Sequence, residues 1–399
     1  MKKIIEYLIY IYISLSMFSG VLVKIFSGNS RLLFLKTILP ELVLILLCIL
    51  ITIIMLKDGA KRKKNNYIRI LFFYFTAVII CNLPFVNTIK AVLYVVRDIY
   101  LPFVVLFLSN EVEIFNSDEI KTIFNKIYKI VIIQIIFGFI LAIVQNKLGW
   151  QWSSRFYAGY EFYGKDAVTG IKIWSTNGVL RVPSLAGDST LFAFYNILSY
   201  LIIKNSKLKF KNILILLCFF NIFLSTNKTC IIILLIDILL EVIRKVNKAS
   251  KAIVIYIIMT LFIISMLGLY TLRPEFFSTL FIRFDNWNYI FDKFKVINPI
   301  GNLFNIGAGV NGFEAVFDNS YLYILFSYGF FGVCIYILAL IRIYKSNKNH
   351  RIIVDMIKVV FIGGVTTNIF QGRVFFIQFC ILTLIFSNSF KSAINKKVY

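Results

Sequence analysis

Long apolar runs, each close to the length of a membrane-crossing helix, recur from one end of this chain to the other. A spanning helix needs about 20 mostly apolar residues. Twelve segments answer to that, near 4–26, 37–56, 68–86, 90–108, 127–146, 187–203, 212–226, 229–243, 252–271, 319–341, 352–368 and 374–389. The first has no small-residue cleavage site behind it and reads as an uncleaved span. The seventh and eighth are separated only by Thr226, Asn227 and Lys228 and read as a tight helical hairpin. Gly363 and Gly364 are expected to interrupt the eleventh. Charged residues make up 16% of the 399, below the roughly 25% of a soluble domain. The pattern therefore predicts an all-α, polytopic membrane helix bundle forming one domain over 1–399. It excludes a soluble globule, a disordered chain and a nucleic-acid-binding domain, so no nucleic-acid partner is expected.

The net charge of +24 is unevenly spread. With Lys2 and Lys3 placed inside, the inner segments carry 24 basic residues in 69 positions, against 15 in 113 for the outer ones. Basic loops stay on the cytoplasmic side. The run Lys57, Lys61, Arg62, Lys63, Lys64 makes the second-to-third connection cytoplasmic. Both termini are then cytoplasmic. Two outer connections are long, about 148–186 and 272–318, and long loops in compact proteins are functional or disordered. Their content of Trp, Tyr, Phe and Gly argues for order. Trp150, Trp152, Tyr157, Tyr160, Tyr163, Trp174 and Trp287 either stack on a ligand's rings or form an interfacial belt, with the belt favoured for Trp150 and Trp152.

The chemistry available is limited. The six cysteines all sit in or beside apolar runs with no CxxC pair, and His350 is the one histidine. Neither a zinc site nor a His-dependent triad is expected, and no metal or cofactor. Charges inside a membrane are costly and mark function by default. Arg97 lies about 10 Å below the outer end of the fourth span; it either pairs with Asp98 or faces a polar cavity. Asp237 and Glu241, followed by Arg244 and Lys245, read as a structural ion-pair cluster, and Asp355 and Lys358 can pair on one helix face. On the outer side, Arg181 and Asp188 flank the sixth span, Lys228 sits at the hairpin tip, Arg283 lies in the second long loop, and Glu314 and Asp318 precede the tenth span. Arginine suits bidentate phosphate recognition and lysine supplies a compact charge, so the set predicts an anion site near the headgroups.

The tracts RVPSLAGDSTLFAFYN, LSTNKTCIIILLI and the stretch from Arg283 to Gly332 resemble the bacterial O-antigen polymerases of the Wzy type. The resemblance covers about Ala91 to Leu340. Arg181 with Gly187, and Arg283 with Gly301, are similar to that family's arginine-and-glycine loop motifs, and Lys228 stands in the basic place of its hairpin tip. The O-antigen ligases share the architecture and carry a His-Asn pair followed by nine residues, Gly, two residues and Gly. Here that spacing reads Asp318, Asn319, Gly329, Gly332, so the histidine place holds an acid.

The resemblance implies a GT-C-like, inverting glycosyltransferase in the bacterial cytoplasmic (inner) membrane, independent of metal and nucleotide. Its donor and acceptor would both be undecaprenyl-diphosphate-linked oligosaccharides held among membrane lipid, with a polysaccharide chain-length regulator as candidate partner. Preorganised cations stabilise a departing diphosphate without a metal, which assigns Arg97, Arg181, Arg283 and Lys228 to the donor. Asp318, then Asp188, then Glu314 are the candidates to receive the acceptor proton. The alternatives are an O-antigen ligase and a lipid-linked oligosaccharide flippase or transporter.

Overall fold

The computed structural model describes residues 1–26, 30–57, 66–86, 92–93, 95–156, 181–246, 275–293, 319–348, 350–370 and 375–386, with a few isolated positions between them. Among the described residues every regular element is helical: α1 (Lys2–Met17), α2 (Ser19–Phe26), α3 (Ser30–Lys57), α4 (Asn66–Asn82), α5 (Leu101–Glu111), α6 (Ser117–Phe156), α7 (Ser189–Lys204), α8 (Lys211–Leu224), α9 (Lys228–Lys245), α10 (Glu275–Lys293), α11 (Ser320–Ser346), α12 (Arg351–Thr366) and α13 (Phe376–Ile385). Three helical stretches among the described residues are long and apolar enough to cross a membrane: Ile38–Lys57, Ser117–Gly149 and Ser320–Ser346. A fourth is gained if α1 and α2, which meet at 76°, count as one broken span. The helices α4, α7, α8 and α13 are apolar but shorter. Most of the expected span 252–271 lies outside the described residues.

Ion pairs between helix ends mark one end of the bundle. At the end where the chain begins, Lys2 pairs with Glu119 at 3.6 Å, Lys126 with Glu6 at 2.8 Å, and the Arg69 Nε donates to Glu111 at 2.6 Å. There too Lys204 pairs with Asp237 and with Glu241, and Arg351 with Glu241. Lys204 and Asp237 are buried, and Tyr200 donates a further bond to Asp237 at 2.7 Å. The acids Asp237 and Glu241 thus take partners from α7 and α12. Asp355 and Lys358 pair as their spacing predicts. In the interior, buried polar side chains tie three helices together: Ser199 donates to Gln134 at 2.8 Å and Asn221 to Asn196 at 2.9 Å. Such bonds hold helices where burial of apolar surface gives little preference between helix and lipid.

Several helix boundaries depart from the apolar pattern for visible reasons. The fifth span, expected over 127–146, starts at Ser117, because Asn116 and Glu119 form a reciprocal capping box: Asn116 Oδ1 accepts from Glu119 N at 2.8 Å and Glu119 Oε2 from Asn116 N at 2.7 Å. The loop expected from 148 is helical as far as Phe156 after a break at Gly149, φ +76°. The loop expected over 272–318 contains the 19-residue helix α10. Gly363 and Gly364 do not interrupt α12, which runs through both to Thr366; they admit the neighbouring side chains of Ile233, Phe194 and Tyr321. The break falls instead in α11 at Gly329, φ +75°. A break inside a membrane helix strands backbone carbonyls. Here the Tyr74 hydroxyl donates to the Tyr328 carbonyl at 2.7 Å, and the Tyr328 ring stacks on Phe75 at 3.9 Å between centroids.

Gly301 presses against that break. Its φ is +81°, and a Cβ there would fall onto the Ser327 carbonyl. Overpacking of this kind costs about 1–3 kcal/mol. Gly301→Ala should therefore lower the thermal unfolding midpoint of the detergent-purified protein. An unchanged midpoint would show that the segment carrying Gly301 does not depend on this contact.

Candidate anion-binding site

The site lies at the end of the bundle opposite Lys2 and is built on the short loop 181–188. Pro183 and Gly187 bracket a single 3₁₀ turn, Ser184–Ala186. Four neighbours fix the loop. The Val182 N–H donates to the Leu224 carbonyl at 3.3 Å. The Ser184 N–H donates to Gln145 at 2.9 Å and the Ser184 hydroxyl to the Gly138 carbonyl at 2.7 Å. Ser19 donates to the Ala186 carbonyl at 2.7 Å. Gly20 lies directly on Gly187: a Cβ at Gly20 would stand 2.5 Å from the Gly187 nitrogen. The loop holds Arg181 at one end and Asp188 at the other.

Asp188 is the N-cap of α7. Its Oδ1 accepts from Thr190 N at 2.7 Å and Leu191 N at 3.0 Å. This bond pair satisfies two of the amides a helix start leaves open. Arg181 is largely buried, and its Nε finds no hydrogen-bond partner among the described residues. Burial pushes its pKa below the usual guanidinium value; nearby Asp188 opposes that shift, and Arg283 adds to it.

The α8–α9 hairpin supplies the third cation. Its tip is as tight as the sequence predicts, with Asn227 capping α9 by accepting from Cys230 N at 3.0 Å. Lys228 is the first residue of α9, where the helix macrodipole disfavours a positive charge. It also stands within electrostatic reach of both Arg181 and Arg283. Arg283 lies on α10, which packs on α11 through Phe291 and Phe326 at 5.4 Å between centroids. One turn along the same face, the buried Trp287 Nε1 has no partner among the described residues.

Hydrogen bonds bring a further helix start to the same end. Thr229, beside Lys228, meets Thr366 at 2.9 Å and Thr367 at 3.1 Å. The Ser320 hydroxyl donates to the Thr367 carbonyl at 2.9 Å, and Asn319 caps α11 by accepting from Tyr321 N and Leu322 N. The starts of α9 and α11 therefore meet the end of α12 beside the cations, and helix N-termini favour anions. Strain concentrates here as well. The non-glycine residues with positive φ, among those described, are Ser184 at +44° and Thr226 at +51°. They flank Arg181 and Lys228, and strained backbone persists only where its surroundings over-determine it.

Of the residues singled out by sequence, the structure gathers Arg181, Lys228, Arg283 and Asp188. Arg97 is engaged by another set. It sits in a π-helical turn, Val96–Tyr100, with Nε donating to Asp98 at 2.6 Å and Nη2 at 2.9 Å, and Glu41 at 3.8 Å. This is the neighbour pair that stands as the alternative to a functional role for Arg97, extended by Glu41. Asp318 and Glu314 lie outside the described residues, as do Tyr157, Tyr160, Tyr163 and Trp174. Trp152 stacks on Phe156 at 5.3 Å, in keeping with a packing role. Sequence reasoning missed the fastening of the loop by Gly20, Gln145 and Ser19, for which the Ser-Gly pair at a helix break was the available signal. It also missed the Thr229–Thr366–Thr367 contact, which no local pattern announces.

No family model matches this chain, and no curated protein matches it.

The cap assigns Asp188 a structural task that can be separated from acid–base chemistry. Asp188→Asn keeps an accepting side-chain oxygen and should leave thermal stability near that of the parent. Asp188→Ala should lose about 0.5–2 kcal/mol. Equal stability of all three proteins would contradict the cap assignment.

Proposed function

We propose that the cation cluster is a diphosphate site, and that the chain polymerises undecaprenyl-diphosphate-linked oligosaccharide repeat units into O-antigen or a related surface polysaccharide. The observation that carries this reading is the meeting of Arg181, Lys228 and Arg283 at one end of a helical bundle. Two of the sequence tracts similar to Wzy-type polymerases, RVPSLAGDSTLFAFYN and LSTNKTCIIILLI, fall on the loop and hairpin that carry Arg181 and Lys228. In this reading the chain crosses the bacterial cytoplasmic membrane twelve times in a GT-C-like arrangement. Both termini are cytoplasmic and the cluster faces out, consistent with the basic loops gathered at the opposite end.

The reaction is a direct displacement. An acceptor hydroxyl attacks the anomeric carbon of the donor glycan, the bond to the diphosphate breaks, and undecaprenyl diphosphate leaves with the electron pair. Arg181, Lys228 and Arg283 offset the charge that develops on the leaving group, in a partly buried place where such electrostatics are strong. The acceptor proton goes to a carboxylate. Asp318 is the first candidate: it directly precedes Asn319, whose cap puts the start of α11 beside Thr229 and Lys228. Asp188 is second because one of its oxygens is already taken by two backbone amides; Glu314 is third. Arg97, matched by Asp98 and Glu41, supports the bundle rather than the donor in this account. A ligase reading has an acid where that family carries histidine, and a flippase reading would require charge along the full membrane depth.

Reconstitution tests the proposal. Purified protein in lipid with its lipid-linked repeat unit should build a polymer ladder without metal or nucleotide. Arg181→Ala and Arg283→Ala, present at parental levels, should each slow ladder formation by about 100-fold or more. Full-length polymer from either variant at the parental rate would refute the assignment of the donor site.

A further inference from the structure

The end of the bundle that carries Lys2 holds a second feature, unconnected with the cation cluster. An open cleft of about 490 Å³ lies between the last turns of α9 and α11 and the first turn of α12, lined by Glu241, Arg244, Tyr344, Lys348, Arg351 and Val354. Its charges are unequal. Glu241 is taken up by Lys204 at 3.0 Å and by Arg351. Arg244 and Lys348 are exposed and have no carboxylate partner among the described residues. The cleft lining thus carries three cations and one acid; Arg351 is engaged by Glu241 and lies 3.9 Å from Asp355, which leaves Arg244 and Lys348 as its unmatched charges among the described residues.

Toward the middle of the bundle, the helices that frame the cleft expose apolar side chains: Leu235 and Ile238 on α9, Leu338 and Ile341 on α11. A soluble anion has no use for such a surface, whereas an acyl chain does. We infer that this cleft binds the phosphate headgroup of an anionic phospholipid, with Arg244 and Lys348 as its principal contacts, Arg351 shared with Glu241, and the acyl chains lying along Ile238 and Ile341. Basic pockets between transmembrane helices recognise lipid headgroups by this combination of charge and adjoining apolar surface. The buried Lys204–Asp237 pair with Tyr200 fixes α7 to α9 beneath the cleft, and Glu241–Arg351 fixes α9 to α12 across it, so the site is framed before any lipid arrives. The inference is independent of glycosyl transfer and would stand if that reading failed.

The test is lipid retention by the intact protein. Detergent-purified chain is mixed with equal amounts of phosphatidylglycerol and phosphatidylcholine, and the retained lipids are counted by native mass spectrometry. The parent should retain phosphatidylglycerol in preference. Each exposed cation removed should cost about fivefold in that preference, so Arg244→Gln/Lys348→Gln should bring the two lipids close to parity. Arg244→Lys/Lys348→Arg, which keeps both charges, should retain the preference and serves as the folding control. The assignment is overturned if the Gln pair keeps the parental preference, if the charge-conserving pair loses it, or if excess inorganic phosphate displaces the lipid as readily as added phosphatidylglycerol does.

Discussion

Three like charges do not gather in a half-buried place unless the surrounding structure holds them there. Arg181, Lys228 and Arg283 repel one another, and burial weakens the water screening that would otherwise relieve the repulsion. The loop 181–188 is pinned by Ser19, Gln145, Gly138 and Leu224, so Arg181 cannot retreat. Lys228 follows a hairpin tip whose Thr226 is held in left-handed backbone geometry, and it sits at the helix end where its charge is least welcome. Stability is spent on this arrangement, and an anion that binds there recovers it. The glycine contact between α2 and the loop, Gly20 on Gly187, is what lets the first helices reach the loop at all.

The two ends of the bundle handle charge differently. At the Lys2 end cations meet acids: Lys2 with Glu119, Lys126 with Glu6, Arg69 with Glu111, Lys204 with Asp237. These pairs tie helix ends together; Lys204–Asp237 is withdrawn from water, whereas Lys2–Glu119 is exposed. At the other end Arg181, Lys228 and Arg283 lie within electrostatic reach of one another, and Asp188, beside Arg181, caps α7. On the proposed reading, that contrast separates a framework from a site for a ligand of negative charge. The Arg244–Lys348 cleft is the exception at the Lys2 end. There the basic residues outnumber their partners, beside exposed apolar surface.

Much of this was legible in the residues alone. Helical class, the hairpin at Thr226–Lys228, the Asp355–Lys358 pair and the nearness of Arg181, Lys228 and Arg283 follow from hydropathy, spacing and charge. The same reasoning sets Arg97 with those cations, and Arg97 pairs with Asp98 and Glu41 instead. Breaks and boundaries were less so. Gly363–Gly364 looks like an interruption and is not one, because glycine within a helix also serves close packing, as Phe194 and Tyr321 show. Gly329 looks ordinary and breaks α11, because Tyr74, distant in sequence, stands ready to take up the freed carbonyl. The early start of α6 was written in Asn116 and Glu119, but the polar cap lies outside the apolar run that defines a span. Long-range contacts such as Gly20 with Gly187 carry no local signature.

The central claim is that the three cations form one diphosphate site, and calorimetric titration of the purified protein with inorganic diphosphate tests it most directly. Saturable binding that disappears in Arg181→Gln and weakens strongly in Lys228→Gln and Arg283→Gln is the result this account predicts. Binding that is absent in the parent, or that persists unchanged in all three variants, would contradict it.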